Sequence, residues 1–355
     1  MKNKTKHIKI IGVGLLAFLL FVSNGYSAEY TKTTSKSFDV NKNVLLDIST
    51  EFGEIKAYNW DKQKISIEAT ITVEASSQSK ADDRFERIKL QIDGGKDLVS
   101  IISSIESGFF GKVGNNISID FIIYYPVDCR LKLKTSFGSA FFESINGSTD
   151  ISVDYGGFTV ESLLNSENRI KIGFGKFQAA KITKANVEVD YGSCQIEEID
   201  ILSLKTSFSG NVNIDKVNSL SIKSAYDKIS IGKVKVISGS TQFTSFVIDE
   251  LQKNLTMKTS YGSFKINSVV SDFELIDINS NFCGIKLGVD SNANFSFYAD
   301  IEHGSFNYPK EKVTITNLQK DVTDLLMEGY FGVKEKVKGS IRLSIEHASA
   351  NILIK

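Results

Sequence analysis

The chain has 355 residues, 41% apolar and 24% charged, a balance that excludes a wholly disordered chain. Lys plus Arg equals Asp plus Glu at 42 each; setting aside the four lysines of the first 28 residues leaves 38 basic against 42 acidic, without the basic excess of a nucleic-acid binder. Two prolines against 24 Phe and 12 Tyr favour β-strands joined by short turns.

Residues 1–28 read as an export signal. Lys2, Lys4, Lys6 and Lys9 form a basic start, and Ile10 to Val22 is an uncharged, mostly apolar run. At ~1.5 Å per residue that run is too short for a ~30 Å hydrocarbon core. Small residues follow, so cleavage is expected after Ser27 or Ala28. The rival reading is an uncleaved anchor. No later apolar run approaches spanning length, so the expectation is an exported protein, periplasmic or at the cell surface, with no membrane span in its mature part.

The next region, 29–130, reads as a variant β region with one short helix. Ile48 to Lys56 contains Phe52-Gly53, and strands are expected at Ile65–Glu74, Lys89–Ile92, Leu98–Ile102 and Ile117–Tyr125. The charged stretch Ser79–Ile88 lacks Gly and Pro and suits a short helix. Pro126 marks the join to a regular array over 131–300.

That array is an internal repeat. An aromatic hinge recurs at Phe137, Tyr155, Phe174, Tyr191, Phe208, Tyr226, Phe243, Tyr261 and Phe282, with gaps of 18, 19, 17, 17, 18, 17, 18 and 21 residues. Gly follows the hinge at 138, 156, 175, 192 and 262; Ser209, Asp227, Thr244 and Cys283 depart from that rule. Counted from the hinge, positions three, five and eight on are apolar, as in Phe158, Val160 and Leu163 or Ile229, Ile231 and Val234. The position four before is apolar in every unit except the one holding Gly239, and the Phe208 unit needs a one-residue shift to Val212, Ile214 and Val217. Spacing by two marks strands with one buried face. Gly after the hinge is expected to supply positive φ or close approach. One unit cannot bury its own apolar face, whereas units stacked ~4.8 Å apart can. The fold class expected is therefore all-β: a parallel β-solenoid, right-handed and single-stranded β-helix-like, with ~18-residue repeats. The rival is an antiparallel meander, and the strict Phe/Tyr alternation leaves open a coil holding two units.

Residues 301–355 read as degenerate repeats and a C-terminal cap. Ile301 to Ser305 and Ile345 to Ser349 look like later copies with His303 and His347 at the hinge, and 344–355 is expected to form the terminal cap. Between them lie Pro309 and a short helix expected near Val322–Met327. Cys129, Cys194 and Cys283 make an odd, widely spaced count and read as buried thiols rather than a disulfide framework.

The chain resembles the putative-adhesin β-strand-repeat family of unknown function, found largely in bacteria of the Bacteroidetes type. The residues that carry the resemblance are the export signal, Ile48–Lys56, Ala57-Tyr58-Asn59-Trp60-Asp61, and Tyr125-Pro126 leading into Leu131 to Gly138, with the repeats up to 288. The resemblance implies a solenoid-like fold and an exported protein. It does not define a ligand, and this chain carries Phe or Tyr where the family often has smaller residues before the Gly.

Chemistry-bearing patterns are sparse. His303 and His347 each follow a Glu, which makes a metal site conceivable only if the two copies stack; the ordinary reading is an exposed turn His. Asp154 and Asp190, two units apart, would stand ~9.6 Å from each other on a ~4.8 Å rise, near the spacing of an inverting glycosidase, although acids recur on any solvated strand face. The aromatic hinges either offer rings to a sugar or flat ligand, or line a corner and pack on one another. Two Gly-aromatic-Phe-Gly segments, Gly108 to Gly111 and Gly329 to Gly332, lie outside the hinge register; Phe109, Phe110, Tyr330 and Phe331 are the candidate binding residues, on loop tips that either anchor a partner or cover strand edges. No cofactor or metal is expected. The functional expectation is a non-enzymatic exported protein that binds a glycan, an envelope component or a protein partner, and no nucleic acid. The alternatives are a carbohydrate-active enzyme on the same scaffold, or a structural assembly subunit.

Overall fold

The computed structural model describes residues 27–106 and 117–355. Residues 1–26, almost all of the expected export signal, and the Phe109-Phe110 segment lie outside the described residues. No described helix is long and apolar enough to cross a membrane.

Over the described residues the protein is all-β, with one short α-helix and one large, mostly parallel and unclosed sheet. In the N-terminal region the strands are β1 (Ala28–Asp39), β2 (Leu45–Trp60), β3 (Lys64–Ala75), β4 (Ile88–Gly94), β5 (Leu98–Ile105) and β6 (Ile117–Pro126). The array follows: β7 (Arg130–Ile145), β8 (Thr149–Leu163), β9 (Asn168–Asp190), β10 (Ser193–Ser207), β11 (Asn211–Ala225), β12 (Lys228–Gln242), β13 (Ser245–Val269) and β14 (Leu275–Val289). The C-terminal part adds β15 (Phe295–Glu302), β16 (Phe306–Asn307), β17 (Val313–Lys320), β18 (Asp324–Phe331), β19 (Gly339–Glu346) and β20 (Ala350–Ile354).

From β7 to β14 each strand pairs in parallel with the next, so this stretch is not a meander. Phe137 sits beside Tyr155 and Tyr155 beside Phe174, so consecutive hinges are direct neighbours. The inward positions read from the hinge are buried as expected, among them Phe158, Val160, Ile196, Ile214, Ile231 and Ile266 at 1% exposure or less. They merge into one apolar core along the stack. Gly239 interrupts the apolar column for a steric reason. Its φ is +150°, and a Cβ there would stand 1.9 Å from the Ile222 carbonyl oxygen.

Both ends of the array are closed by strands out of chain order. At the N-terminal end β2 pairs in parallel with β7, with Phe52 beside Phe137. Its other edge takes β5 and β6. Antiparallel strands then follow, β4 on β5, β3 on β6 and β1 on β3. The helix α1 (Gln78–Glu86) starts at Ser77, whose hydroxyl accepts from the Lys80 amide at 3.4 Å, and it buries Ala81 and Phe85.

At the C-terminal end the structure corrects two expectations. Residues 344–355 are not the terminal cap: β19 and β20 are inserted between β14 on one side and β15 and β16 on the other. The closing element is instead the antiparallel pair β17–β18, laid on β15. The helix expected near Val322–Met327 is absent. Asp324–Phe331 is a strand whose Met327, Gly329 and Phe331 alternate inward, because ladders to β15 and β17 outweigh local preference.

Candidate functional site

The hinges form one continuous column of stacked rings. In spatial order the rings are Phe52, Phe137, Tyr155, Phe174, Tyr191, Phe208, Tyr226, Phe243, Tyr261, Phe282, His347 and His303, with neighbouring centroids 4.6–5.2 Å apart. Between Phe52 and Phe282 the planes of neighbouring rings lie within 16° of parallel. From Phe137 to Phe282 each ring is still about half exposed, between 43% and 53%. The column therefore turns ring edges to solvent, and each ring face is taken by a neighbour. The order places His347, late in sequence, before His303, which follows from the insertion of β19 and β20. The two imidazoles lie 4.9 Å apart with their planes tilted by 30°, and His347 Nε2 lies 3.5 Å from Glu346 Oε1. Among the described residues no group of three or more His, Cys, Asp or Glu is placed to hold a metal ion.

The backbone at the hinge departs from the expectation. Tyr191, Phe208, Tyr226, Phe243, Tyr261 and Phe282 themselves adopt left-handed φ, from 50° to 61°, and so do His303 and His347. Positive φ after the hinge is confined to Gly53 and Gly156. The other hinge glycines serve close approach: a Cβ on Gly175 would stand 1.7 Å from the Gly156 carbonyl oxygen. Four of the left-handed aromatics, Phe208, Tyr226, Phe243 and Phe282, are followed by a residue with a side chain, and Ser209, Asp227, Thr244 and Cys283 are all buried. Asp227 accepts from the Thr206 hydroxyl (2.6 Å), the Ser224 hydroxyl (2.5 Å) and the amides of Ser209 (2.6 Å) and Ala225 (3.1 Å). This network satisfies the buried carboxylate, so it reads as the filling of a corner. Burial pushes the Cys129 and Cys194 thiols up to about 12, and it raises Cys283 as well. All three cysteines are buried and unpaired.

The strand faces beside the column are polar and open. Just before the hinge, Ser203, Lys205 and Ser207 lie beside Ser221, Lys223 and Ala225, then Ser238, Ser240 and Gln242, then Thr256, Lys258 and Ser260. The members nearest the hinge, among them Lys205, Lys223, Ser240 and Lys258, line a shallow trough of about 520 Å³. Ion pairs run between adjacent strands, Lys205 to Glu188 and Lys216 to Glu198, both at 2.7 Å. The Lys205 hydrogen bond holds the Glu188 carboxyl below its ordinary value. Asp154 is exposed on β8; Asp190, at the end of β9, accepts a hydrogen bond from the Ser207 hydroxyl.

Of the four candidate binding residues, Phe109 and Phe110 lie outside the described residues. Tyr330 and Phe331 are not on a loop tip. They end β18, where Phe331 is 1% exposed and stacks on Phe295 at 5.2 Å. The loop expectation fails because β18 is gripped on both edges.

A cluster that sequence reasoning passed over lies on the outer face of β2, β6 and β7. Tyr58 packs against Tyr124 (5.8 Å, 35°) and Phe141 (6.0 Å, 55°), and Trp60 against Tyr124 (5.5 Å, 28°). Tyr124 is 41% and Ile122 40% exposed. The available signal is parity: Tyr58, Ile122, Tyr124 and Phe141 each stand next to a buried residue (Ala57, Phe121, Ile123 and Phe142), although no strand is expected from the sequence at Tyr58 and Trp60.

No family model matches the chain. Among solved structures it is similar to a "putative cell adhesion protein" from Clostridium sporogenes (10% identity, TM-score 0.20, covering 93% of this chain and 100% of that one). It is also similar to a "putative adhesin" from Parabacteroides merdae (9%, TM-score 0.35, 70% and 92%) and another from Parabacteroides distasonis (11%, TM-score 0.29, 91% and 97%). A curated relative, the redox-sensing transcriptional repressor Rex of Shouchella clausii, is 33% identical over 99 residues, which is 26% of this chain; the chain spans 44% of that relative's length.

Proposed function

We propose that the chain is a non-enzymatic exported interaction protein, a right-handed β-solenoid with ~18 residues per turn, whose polar strand faces hold a glycan, an envelope component or a protein partner. The observation that carries this reading is the repetition of outward side chains in register along the stack. Ser203, Ser221, Ser238 and Thr256 are successive neighbours, as are Lys205, Lys223, Ser240 and Lys258. Such columns offer an extended partner the same donors and acceptors at every strand, ~4.8 Å apart. Retention of the purified protein on envelope fractions and immobilised glycans tests the reading. Specific retention without turnover is expected. Absence of retention, or cleavage of a bound glycan, would contradict it.

A further inference from the structure

The chain's single tryptophan stands in the outward cluster on β2, β6 and β7. We propose that Tyr58, Trp60, Tyr124 and Phe141, continued by Thr159 and Gln178, form a platform for an uncharged polysaccharide chain laid along the stack. The inference deepens the reading above and rests on it.

The molecule contains two kinds of aromatic surface, and they present opposite charge. An aromatic ring is electron-rich on its face and electron-poor at its edge. In the hinge column near-parallel rings cover one another's faces, so solvent meets edges. Polarised C–H groups of a sugar ring find no acceptor there. On the platform the rings are tilted by 28° to 55° at 5.5–6.0 Å and cover one another less completely than in the column, with Tyr124 exposed and Tyr58, Trp60 and Phe141 half-buried. Trp60 is fixed by its indole Nε1, which donates to the Lys64 carbonyl at 2.7 Å. Lys62 Nζ lies 5.0 Å from the same ring, on an exposed side chain that a bound sugar would displace.

The surroundings select the ligand class. The surface is the outward face of paired parallel strands, which suits an extended chain better than a helix seeking a groove. Phe141 is followed along the stack by Thr159, Gln178, Gln195 and Asn213, each the strand neighbour of the one before. Gln178 and Gln195 already join side chain to side chain at 3.4 Å. Amides and hydroxyls in a row provide donors and acceptors for sugar hydroxyls. Glu143, Glu161 and Glu197 stand two positions beyond Phe141, Thr159 and Gln195 on the same outward parity. Glu143 already takes the Asn59 amide at 2.5 Å, and Lys56, the strand neighbour of Phe141, is paired with Glu54 at 2.7 Å; the exposed Glu161 and Glu197 accept from sugar hydroxyls and repel an acidic polymer, so the platform favours a neutral glycan.

Because Trp60 is the only tryptophan, its emission reports on the platform directly. The purified protein is titrated with hydroxyethylcellulose, glucomannan and mannan, and with polygalacturonate as the acidic counterpart. Retardation in gels containing each polymer is measured in parallel. The expected result is a shift of Trp60 emission and retardation with at least one neutral polymer and none with polygalacturonate. Tyr124→Ala and Phe141→Ala should each weaken that binding about tenfold, with unchanged far-UV circular dichroism, and Phe243→Ala on the hinge column should leave it unaltered. The inference is overturned by a response to no neutral polymer, by a response to polygalacturonate alone, or by undiminished binding in a folded Tyr124→Ala/Phe141→Ala protein. Self-association that Tyr124→Ala abolishes would overturn it too, since a second copy would then be the occupant. If envelope fractions still retain the protein when no neutral polymer does, the platform assignment alone fails. If neither binds, the broader reading fails with it.

Discussion

Phe243 offers a test of the left-handed hinge. Its ring lies between Tyr226 at 4.7 Å and Tyr261 at 4.8 Å, and its φ is 51°. Either Phe243→Ala or Phe243→Gly removes two ring contacts, worth ~0.5–1.5 kcal/mol each, or about 1–3 kcal/mol together. The two variants then part ways. Alanine keeps the left-handed cost of ~1–2 kcal/mol, whereas glycine is free of it. Glycine pays ~0.5–1 kcal/mol more chain entropy than alanine. The balance spans about 0–1.5 kcal/mol in favour of Phe243→Gly, about 0.75 at mid-range, against the usual order. At Phe137 φ is not positive, so there Phe137→Ala should be the more stable of the pair. Urea unfolding followed by far-UV circular dichroism reads both comparisons as midpoint shifts at constant slope. If Phe243→Gly unfolds at or below the midpoint of Phe243→Ala, the left-handed hinge is refuted.

Four further outcomes follow from the packing. Gly175→Ala should lose more than ~3 kcal/mol or fail to refold, because its Cβ meets the Gly156 backbone, whereas Gly210→Ala, with nothing within 4 Å of a Cβ, should stay within ~0.5 kcal/mol in the same melts. Ile231→Ala should cost ~2–5 kcal/mol and the neighbouring outward Ser230→Ala little, again read by urea midpoint. A thiol reagent at pH 8 should label no cysteine in the native protein and all three in denaturant, since burial excludes the reagent and holds Cys129 and Cys194 near 12. The Glu188–Lys205 pair should contribute only a few tenths of a kcal/mol, because Lys205 is exposed and Glu188 is half-buried at the surface. Its folded carboxyl lies below the ordinary ~4.3, so that contribution is present above this value and fades as pH falls through the lowered one; the pH dependence of a Glu188→Gln difference checks it.

Much of the architecture is legible because burial repeats from a visible anchor. Once the hinge is located, positions three and five on follow from strand parity, and position eight on resumes the core after two outward residues, as Glu161 and Ser162 precede Leu163. Chain order is less legible. Nothing local tells β19 and β20 to enter between β14 and β15, since a parallel partner is chosen by shape along the whole stack. The apolar cluster Val322, Leu325, Leu326 and Met327 imitates a helix, and only the ladders on either side make Asp324–Phe331 a strand. The left-handed hinges are hidden for a related reason. Phe and Tyr avoid that region in isolation, and stacking in the folded column offsets the cost. The Tyr58, Trp60, Tyr124 and Phe141 cluster escapes notice because its members come from three strands distant in sequence, each aromatic unremarkable alone.

The account depends on which strand lies beside which, and engineered cross-linking reads that directly. Glu198 is the strand neighbour of Lys216, and Lys216 of Lys233. Cysteines at 198 and 216 would have Cα atoms ~4.8 Å apart, within disulfide range, while 198 and 233 would be about twice as far, beyond it. Mild oxidation should close an intramolecular bond in Glu198→Cys/Lys216→Cys and none in Glu198→Cys/Lys233→Cys. The reverse result would mean that neighbouring units do not lie on successive strands of one stack.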